Sequence, residues 1–366
     1  MARLARVNPI VVRQLAPTDR EVYETFLAGL AGSPHLTFFH SWEWGEVMAE
    51  RTDHLERVAL ERGGEVVAVA QVGLHRDKGM TYWYSPRGLA LDYADTELVT
   101  AAHAGLRDHF RARRGAALLR VDPNVVQGDP AEAAIDAVGA KKAAIFTQAE
   151  RCWIAEVRPT EEEQIAWLKE HGLKGNTRRL FNKSNKAGVT VRASDDPADL
   201  EILIGMLREM DERKGGIGMH TEDHYRAQFA KMAPAGYQKV FLAELDGRVG
   251  AASLMALYGV EASFLHGASS ADEDFRKLSP SYVMHLRTMG WIAENRPEIT
   301  RYNFWGIVSD ENRHPGHPRH GYSEFKRSFG GRKVEYVRAR DLVYKPLQRS
   351  ALYYLDAART RIHRND

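Results

Sequence analysis

The residues best suited to chemistry lie close together in residues 302–331, which read YNFWGIVSDENRHPGHPRHGYSEFKRSFGG. Lys326 follows Phe325 there, with an aromatic residue before them and a Gly-Gly pair after them. This concentration of aromatic, cationic and conformationally special residues is unusual, although a lysine in a short helix is usually exposed. The pattern predicts a strand that ends at Gly306 and a short helix that ends at Gly330-Gly331.

Alternating apolar residues, helical periodicity and Gly turns predict the elements around this segment. In the first half, we expect strands at 11–15, 55–60, 66–74, 81–84 and 117–121 and helices at 19–30 and 96–113. Residues 145–147 and 153–157 are expected to extend the same sheet. A helix near FFHSWEWGEV would present Trp44 and Met48 on one face.

The second half repeats this order. AELDGRVGAASLMALYG resembles ALERGGEVVAVAQVGLH, so that Gly247 corresponds to Gly64, and a strand, a helix and another strand follow in both halves. We interpret this as an internal duplication of a mixed α/β (α+β) unit, with a cleft between the two copies. The boundaries are predicted as 1–158 plus 321–366 for the first domain and 159–320 for the second.

A basic segment, residues 174–192 (KGNTRRLFNKSNKAGVTVR), contains six basic residues and no acidic one. On a helix, Arg179, Lys183 and Lys186 would share one face. The segment is either a solvated helix face or a surface that contacts the phosphates of a nucleic acid.

Composition limits the class of protein. The chain has 366 residues and a net charge of +2, so a nucleic-acid partner would need a local basic patch. No apolar run reaches the length of a membrane helix, and the N-terminal residues lack the apolar core of a signal peptide. Cys152, the single cysteine, excludes an internal disulfide and is expected to be buried and inert. These features predict a cytoplasmic protein.

Sequence motifs for common cofactors are absent. The sequence has no G-x-x-x-x-G-K-[ST] loop, no G-x-G-x-x-G motif after a strand and no HExxH motif. The positions that would hold pyrophosphate in an acyl-CoA enzyme lack glycines, which argues against an acyl-CoA donor. His314, His317 and His320 lie in a proline-rich loop without cysteines, and we expect an exposed loop rather than a zinc site. We therefore expect no metal and no cofactor.

Five segments together resemble a known family. They are FFHSWEWGEV, YSPRGLALD, RRLFNKSNKAGVTV, FLHGASS and GYSEFKRSFGG, in this order along nearly the whole chain. They are similar to motifs of the Fem family of aminoacyl-tRNA-dependent peptidoglycan aminoacyltransferases. The resemblance implies two tandem acetyltransferase-like (GNAT-like) domains, without the coiled-coil arm of some members, and a monomer.

The resemblance also implies an activity and its partners. An amino acid would pass from aminoacyl-tRNA to an amine on the stem peptide of a peptidoglycan precursor, building the interpeptide bridge of the cell wall. The acceptor would be UDP-MurNAc-pentapeptide or lipid II, and the lipid-linked form would bring the protein into peripheral contact with the membrane. The alternatives are an N-acyltransferase of the same fold with a donor other than tRNA, and a non-catalytic RNA-binding protein.

Site residues follow from the same resemblance. Lys326 would stabilise charge, Phe325 would shape its pocket, and Asp92 would orient the amine or accept its proton, although Asp92 also suits the cap of a helix. The residues implied to bind substrate are Trp44, Tyr84, Arg87, Arg213, His220, Tyr225, Phe264, His266 and Tyr322. Those implied to bind tRNA are Arg178, Arg179, Lys183 and Lys186. Tyr84 and His266 lie at equivalent ends of the repeated strands, where a cleft is expected. Packing within the sheet would explain their positions equally well.

The sequence departs from the family pattern at four positions. His40 stands where the motif usually has Gln, Met48 where it has a phosphate-contacting Lys, and Leu89 where it has Pro. His266 stands where an aromatic hydroxyl is expected. Three residues are candidates for the missing cation: Arg51, Arg213 and His220.

Overall fold

The computed structural model describes residues 9–77, 79–111, 113–145, 147–173, 175–216 and 219–363, and side chains as far as residue 358. The chain divides into two compact units. The first ends at Glu150 and resumes at Glu335, and the second is Arg151–Val334. No helix in these ranges combines the length and apolar character needed to cross a bilayer.

The first unit is a mixed sheet with helices. Its elements are β1 (Ile10–Leu15), α1 (Arg20–Gly29), α2 (Trp42–Ala49), β2 (His54–Arg62), β3 (Glu65–Asp77), β4 (Met80–Arg87), β5 (Ala90–Leu91), α3 (Thr96–Arg111), β6 (Leu118–Pro123), α4 (Pro130–Asp136) and β7 (Lys141–Lys142). The strand order is β1-β2-β3-β4-β6, with β4 and β6 parallel and β5 beside β3. One face of the sheet packs under α3 and α4 in a core that includes Trp83, Leu106 and Phe110.

The second unit contains a second mixed sheet. Its elements are β8 (Arg151–Glu156), α5 (Glu161–Trp167), α6 (Asn176–Lys186), β9 (Thr190–Ser194), α7 (Pro197–Lys214), α8 (Glu222–Met232), β10 (Gln238–Leu245), β11 (Arg248–Tyr258), β12 (Glu261–Ser269), α9 (Glu273–Leu278), α10 (Ser281–Asn295), β13 (Arg301–Gly306), α11 (His320–Arg327) and β14 (Arg332–Glu335). The strand order is β14-β8-β13-β12-β11-β10-β9. Strands β12 and β13 pair in parallel in this sheet.

The predicted duplication is confirmed by the pairing of the strands. In both units an antiparallel hairpin is followed by a third antiparallel strand, a helix and a parallel strand. The hairpin turns are Gly63–Gly64 and Asp246–Gly247, and all four residues have positive φ, as two-residue hairpin turns require. The register shifts just before the turn in each hairpin. The two units therefore have the same fold.

The C-terminal segment returns to the first unit. It forms β15 (Arg340–Val343) and α12 (Pro346–His363), and β15 pairs with β6 and β7. Arg120 of β6, 3% exposed, donates to Asp341 at 2.7 Å and to Asp356 at 3.4 Å. This buried ion-pair network joins α12 to the sheet.

Two predicted strands need correction. Residues 153–157 do not extend the first sheet, because β8 pairs antiparallel with β13 of the second sheet, with Ala155 opposite Tyr302. Ile145 and Thr147 are not in a strand, and Phe146 lies outside the described residues. The first sheet is extended instead by β15 and β7.

The compact units also differ from the predicted domain boundaries at 158 and 321. β8 joins the second unit because its apolar residues Ile154 and Ala155 are buried there. Helix α11 joins it as well, because Phe325 and Phe329 pack in the core under α10. Cys152 is fully buried in β8, as expected.

Candidate functional site

Lys326 lies in the last turn of α11, and its side chain is buried although it carries an amine. Its Nζ donates a hydrogen bond to the carbonyl oxygen of Gly306 at 2.7 Å. Nζ lies 3.9 Å from the centre of the Tyr322 ring and 6.0 Å from that of Phe264. No carboxylate in the described ranges forms an ion pair with Lys326. Burial therefore lowers its pKa from 10.5 to about 7.

An irregular strand end provides the carbonyl group that binds Lys326. Trp305 has a φ of +66°, in the left-handed region that a tryptophan rarely adopts. Its N–H donates to Oδ1 of Asn303 at 2.8 Å, and Asn303 in turn donates to Glu261 at 2.9 Å. The strained residue thus lies directly before Gly306, and such strain is characteristic of functional sites.

The Gly-Gly pair after α11 is required by close backbone packing. Gly330 and Gly331 have φ values of +73° and +94°. A Cβ atom at Gly331 would lie 2.3 Å from the carbonyl oxygen of Ile154, and one at Gly330 would lie 2.8 Å from the Trp167 ring. Larger residues would push α11 away from the second sheet, so these glycines fix the position of Lys326.

Aromatic rings hold α11 against α10. Phe325 is half-buried, and its ring centre lies 5.0 Å from Tyr282, 5.5 Å from His285 and 5.1 Å from Phe329. His285 is fully buried, with Nδ1 2.7 Å from the hydroxyl oxygen of Tyr302. Burial, with a smaller effect of the Lys326 charge, lowers the pKa of His285 to about 3. His285 is therefore neutral at physiological pH and adds no second cation beside Lys326.

A β-bulge separates two residues that strand alternation would place on one face. His266 is opposite Leu254 and Phe264 is opposite Met255, so Leu265 is the extra residue on β12. Phe264 consequently packs in the core under α10, whereas His266 contacts Tyr225 beneath the opposite face of the sheet. The structure places Phe264 near Lys326 and directs His266 elsewhere.

Three predicted substrate residues form one cluster on that opposite face. The ring centres of His266 and Tyr225 are 4.9 Å apart, and those of His266 and His220 are 5.6 Å apart. His224 adds a third imidazole, 4.5 Å from His220. Within the described chain, no group of His, Cys, Asp or Glu side chains has the arrangement of a metal site.

Arg213, another predicted substrate residue, is exposed in the last turn of α7.

The electrostatics of this cluster favour a neutral His266. Burial, followed by the neighbouring His220 and His224, lowers the pKa of His266 to about 3. The imidazole that replaces the expected aromatic hydroxyl is therefore a neutral hydrogen-bonding group. The backbone N–H of exposed His220 donates to the Tyr225 hydroxyl at 3.1 Å.

In the first unit, the corresponding strand is also interrupted. β4 pairs with β3 as far as Tyr84, and pairing resumes only at Ala90 in β5. Arg87 lies in this gap with a φ of +59°, buried, and Nη2 donates to the Ala149 carbonyl oxygen at 3.3 Å. The corresponding strand is therefore irregular in both repeats: β4 leaves its partner after Tyr84, and β12 contains a bulge.

Tyr84 and Arg87 are brought together around Asp122, which directly follows the predicted strand 117–121. The buried Asp122 carboxylate accepts from the Gln148 N–H at 2.8 Å and, weakly, from the Tyr84 hydroxyl at 3.5 Å. Burial raises its pKa to about 6, and the positive charge of Arg87 opposes the shift. The cluster is a buried polar site in the first unit.

The other predicted residues of this unit have less specific surroundings. Trp44 is half-buried and packs against Phe39, with ring centres 4.8 Å apart. Asp92 is exposed and accepts from the Ala94 N–H at 3.0 Å, whereas the cap of α3 is Asp95. Asp92 is therefore not the helix cap. Met48 is buried, and the exposed Arg51 follows α2 in the same unit.

The basic segment forms helix α6, anchored by buried Phe181. All four predicted tRNA contacts are exposed: Arg178, Arg179, Lys183 and Lys186. Arg179 donates to the Asn176 side chain at 2.7 Å, and Lys183 donates to the Lys277 carbonyl oxygen at the end of α9 at 2.9 Å. None of the four forms an ion pair with a carboxylate of the described chain. The exposed face of α6 therefore remains cationic, although Lys183 also caps the C-terminal end of α9.

Comparison with protein families agrees with this architecture. Residues 19–249, more than half of the chain, match the model of the FemAB family. The chain belongs to the FemAB family. Residues 172–327 of this FemAB protein also match the model of the acetyltransferase (GNAT) domain, which confirms the predicted acetyltransferase-like units and supports a transferase. Among curated proteins, none matches the chain significantly.

Solved structures show the same fold. The crystal structure of FemX matches with a TM-score of 0.80 and 18% identity, covering 93% of this FemAB chain and 100% of FemX. A tandem GNAT protein from the clavulanic acid biosynthesis pathway matches with a TM-score of 0.50 and 14% identity, covering 91% and 98%. A conserved protein from Bacteroides thetaiotaomicron matches with a TM-score of 0.56 and 10% identity, over 91% and 98%.

Sequence reasoning missed three residues of these clusters. Asp122 was interpreted as the end of a strand, although its position after a buried strand is typical of site carboxylates. His224 lies four residues after His220, a spacing that could have drawn attention to it. His285 has no distinguishing signal, because an isolated histidine in an amphipathic helix is usually a core residue.

Proposed function

We propose that this FemAB protein transfers an amino acid from aminoacyl-tRNA to an amine on the stem peptide of a peptidoglycan precursor. The observation that carries the proposal is the buried Lys326 of the Phe-Lys pair, which forms no ion pair with a carboxylate among the described residues. Family membership supports the acyltransferase class, and the exposed cations of α6 support an RNA donor.

The chemistry of the proposed reaction suits such a lysine. An aminoacyl ester is already activated, so aminolysis requires a neutral attacking amine, stabilisation of the oxyanion and a proton for the leaving ribose oxygen. Within the described chain, the contacts of the Lys326 amine are uncharged groups: the Gly306 carbonyl oxygen and the rings of Tyr322 and Phe264. A developing oxyanion would supply the missing opposite charge. The interaction would therefore be stronger in the transition state than in the ground state, which is the condition for catalysis.

The remaining predicted residues are proposed to bind the acceptor or the donor. Tyr84 and Arg87 surround a buried carboxylate in the first unit, and His220, Tyr225 and His266 form one cluster in the second. An exposed carboxylate, as at Asp92, is accessible to a protonated amine and can accept its proton.

A transfer assay tests the proposal. The purified protein is incubated with a panel of charged tRNAs and either UDP-MurNAc-pentapeptide or lipid II, and the acceptor is analysed by mass spectrometry. We expect a mass gain of one amino-acid residue that requires the charged tRNA. Modification by an acyl-CoA in place of tRNA would identify the N-acyltransferase alternative. Binding of tRNA without any modification of either acceptor would contradict an enzymatic role.

A further inference from the structure

Helix α12, in the C-terminal segment, carries apolar side chains on its outer face. Leu347 is 88% exposed, Tyr354 72% and Leu355 43%. The exposed residues Ala351 and Ala358 lie at helical intervals from these three. Residues three, four, seven and eight positions apart share one face of a helix, so the five form a stripe roughly 16 Å long. We refer to these five residues as the α12 stripe.

The opposite face of α12 holds the helix on the first sheet. Leu352 is buried in a cluster with Met80 and Leu118, and the buried Asp356 accepts from Arg120 at 3.4 Å. A surface helix normally turns its apolar residues inward and its polar residues outward. In α12 the outer face is the apolar one. Because the inner face fixes the helix, the stripe is preformed, and a partner would bind it at little cost in conformational entropy.

The grouping of the apolar residues distinguishes α12 from the rest of the surface. Single exposed apolar side chains are normal, whereas a contiguous group marks an interaction surface. Eight large apolar side chains are exposed among the described residues, and three of them lie in the α12 stripe. The other five are spread over separate segments of the chain: Val11, Val22, Val126, Ile202 and Tyr322. The α12 stripe is therefore a candidate docking surface.

The sequence around the stripe is rich in cations. Residues 345–364 contain five Lys or Arg residues and one acidic residue, Asp356, which is buried. Lys345 is exposed directly before α12, and three of the arginines follow the stripe, at positions 359, 361 and 364. The segment therefore combines an apolar stripe with positive charge at both of its ends.

A further cation comes from the edge of the sheet. Lys141 of β7 is exposed and lies opposite Asp341 of β15, whose carboxylate pairs with Arg349 of α12. Opposite residues of antiparallel strands project from the same face, so Lys141 lies on the face of the sheet that α12 covers. Among the described residues, no carboxylate forms an ion pair with Lys141 or Lys345. Their charges are available to an anionic partner.

Leucines bordered by cations suit the surface of an anionic bilayer. Leucine side chains enter the boundary between headgroups and acyl chains, a tyrosine ring places its hydroxyl at headgroup depth, and lysines attract anionic headgroups. Helix α12 lacks the length and apolar character of a membrane span, so it would lie on the bilayer. A nucleic acid would use the cations but not the leucines. A second copy, related by a two-fold axis, would bring like charges together.

We propose that the α12 stripe docks the protein on the surface of a bilayer that contains anionic lipid, with α12 parallel to the surface. The inference goes beyond the proposed function and does not depend on it. Contact through a lipid-linked acceptor would require that acceptor in the bilayer, whereas docking through the stripe requires only anionic lipid.

Vesicle flotation tests the stripe. The full chain is mixed with phosphatidylcholine vesicles, with or without phosphatidylglycerol and free of peptidoglycan precursor, and the bound fraction is measured at low and high salt. We expect binding to the phosphatidylglycerol vesicles that weakens as salt screens the cations. Leu347→Ser combined with Leu355→Ser should weaken partitioning by roughly 10- to 100-fold. Lys141→Gln combined with Lys345→Gln should weaken it by about 5-fold per lost charge at low salt.

Two exposed residues of α7 supply matched controls. Ile202→Ser removes an exposed apolar side chain outside the stripe, and Arg208→Gln removes an exposed arginine. Both variants should bind the vesicles like wild type. Wild-type binding by the Leu347→Ser, Leu355→Ser protein, or binding that appears only when lipid II is added, would overturn the inference.

Two further measurements examine other ways of covering the stripe. Sedimentation without lipid would show self-association if a second copy occupied it. Self-association that the two serine substitutions abolish, without vesicle binding by wild type, would overturn docking on a bilayer. Urea unfolding of the serine variant should match wild type, because both leucines are exposed. A loss of unfolding free energy would mean that other residues of the chain cover the stripe, and it would likewise overturn the inference.

Discussion

Replacing Lys326 with methionine should make the protein more stable and less active. Burial lowers the pKa of Lys326 from 10.5 to about 7. At about 1.36 kcal/mol per pKa unit, holding this charge in the folded state costs about 4 kcal/mol at pH 7. Methionine has a similar shape and no charge, so it removes this cost. It leaves the Gly306 carbonyl oxygen without its donor, which costs about 1–3 kcal/mol. The net gain is about 1–3 kcal/mol at pH 7.

The stability gain should depend on pH with a definite sign. The folded pKa lies below the unfolded one, so between pH 7 and 10.5 the unfolded state binds more protons at Lys326 than the folded state. Wild-type stability therefore rises with pH across this window. The Lys326→Met variant lacks the destabilising buried charge. Its gain in unfolding free energy over wild type should therefore be largest below pH 7 and disappear toward pH 10.5.

The effect on activity has the opposite direction. Loss of one donor that stabilises an oxyanion lowers kcat by about 10² to 10³. Lys326→Arg should recover only part of the rate, because a planar guanidinium does not reproduce a compact ammonium group. In the wild-type protein, the contribution of the Lys326 ammonium should fall as pH rises through about 7. The requirement for a neutral attacking amine opposes this trend, and the rate should pass through a maximum.

Urea unfolding at pH 6, 8 and 10 and kcat with charged tRNA are the measurements. Lys239→Met is the control, because Lys239 forms a 3.0 Å ion pair with the exposed Asp195 and should contribute less than about 1 kcal/mol. A Lys326→Met protein that is less stable than wild type at pH 6, with no trend toward pH 10, would refute the desolvated charge. A kcat within about threefold of wild type, rather than the loss given above, would refute the catalytic role.

Three further changes test other parts of the structure. Replacing Arg178, Arg179 and Lys186 with Gln should weaken tRNA binding and lower the log–log salt slope by about 0.7 to 0.9 per lost phosphate contact; an unchanged slope would mean a solvated face. Asp341→Ala should cost about 3–5 kcal/mol in urea unfolding, because it leaves a buried guanidinium with one weaker partner; a loss below about 1 kcal/mol would contradict this. Because the folded pKa of His285 is about 3, wild-type stability should fall as pH drops below 6.5. His285→Phe should remove about 2–3 kcal/mol of that fall at pH 4.5, and equal acid sensitivity in both proteins would contradict the assignment.

Local patterns were sufficient to predict the duplicated fold. Gly64 and Gly247 each lie in a two-residue turn between strands, and the requirement for positive φ makes such turns visible in the sequence. The short helix before Gly330 and the acid-free helix α6 were predicted for the same reason: their signals lie within a few consecutive residues. The predicted FemAB membership likewise rested on short motifs and is confirmed.

Pairing between distant segments could not be predicted from these patterns. β8 has the alternation of a strand, but alternation does not specify a partner, and only the contact with β13 assigns it to the second sheet. The bulge at Leu265 reverses the face of every later residue of β12, so Phe264 and His266 diverge despite their spacing.

The sequence by itself determined the two repeated units, the basic helix and the position of the Phe-Lys pair along the chain. The tertiary structure alone decided that Lys326 is buried with the Gly306 carbonyl oxygen as its acceptor, and that Asp122 lies beside Tyr84. Burial and the resulting pKa depend on atoms that come from segments far apart in sequence. A lysine in a short amphipathic helix is exposed unless distant residues cover it, and here the end of β13 and the ring of Phe264 do so.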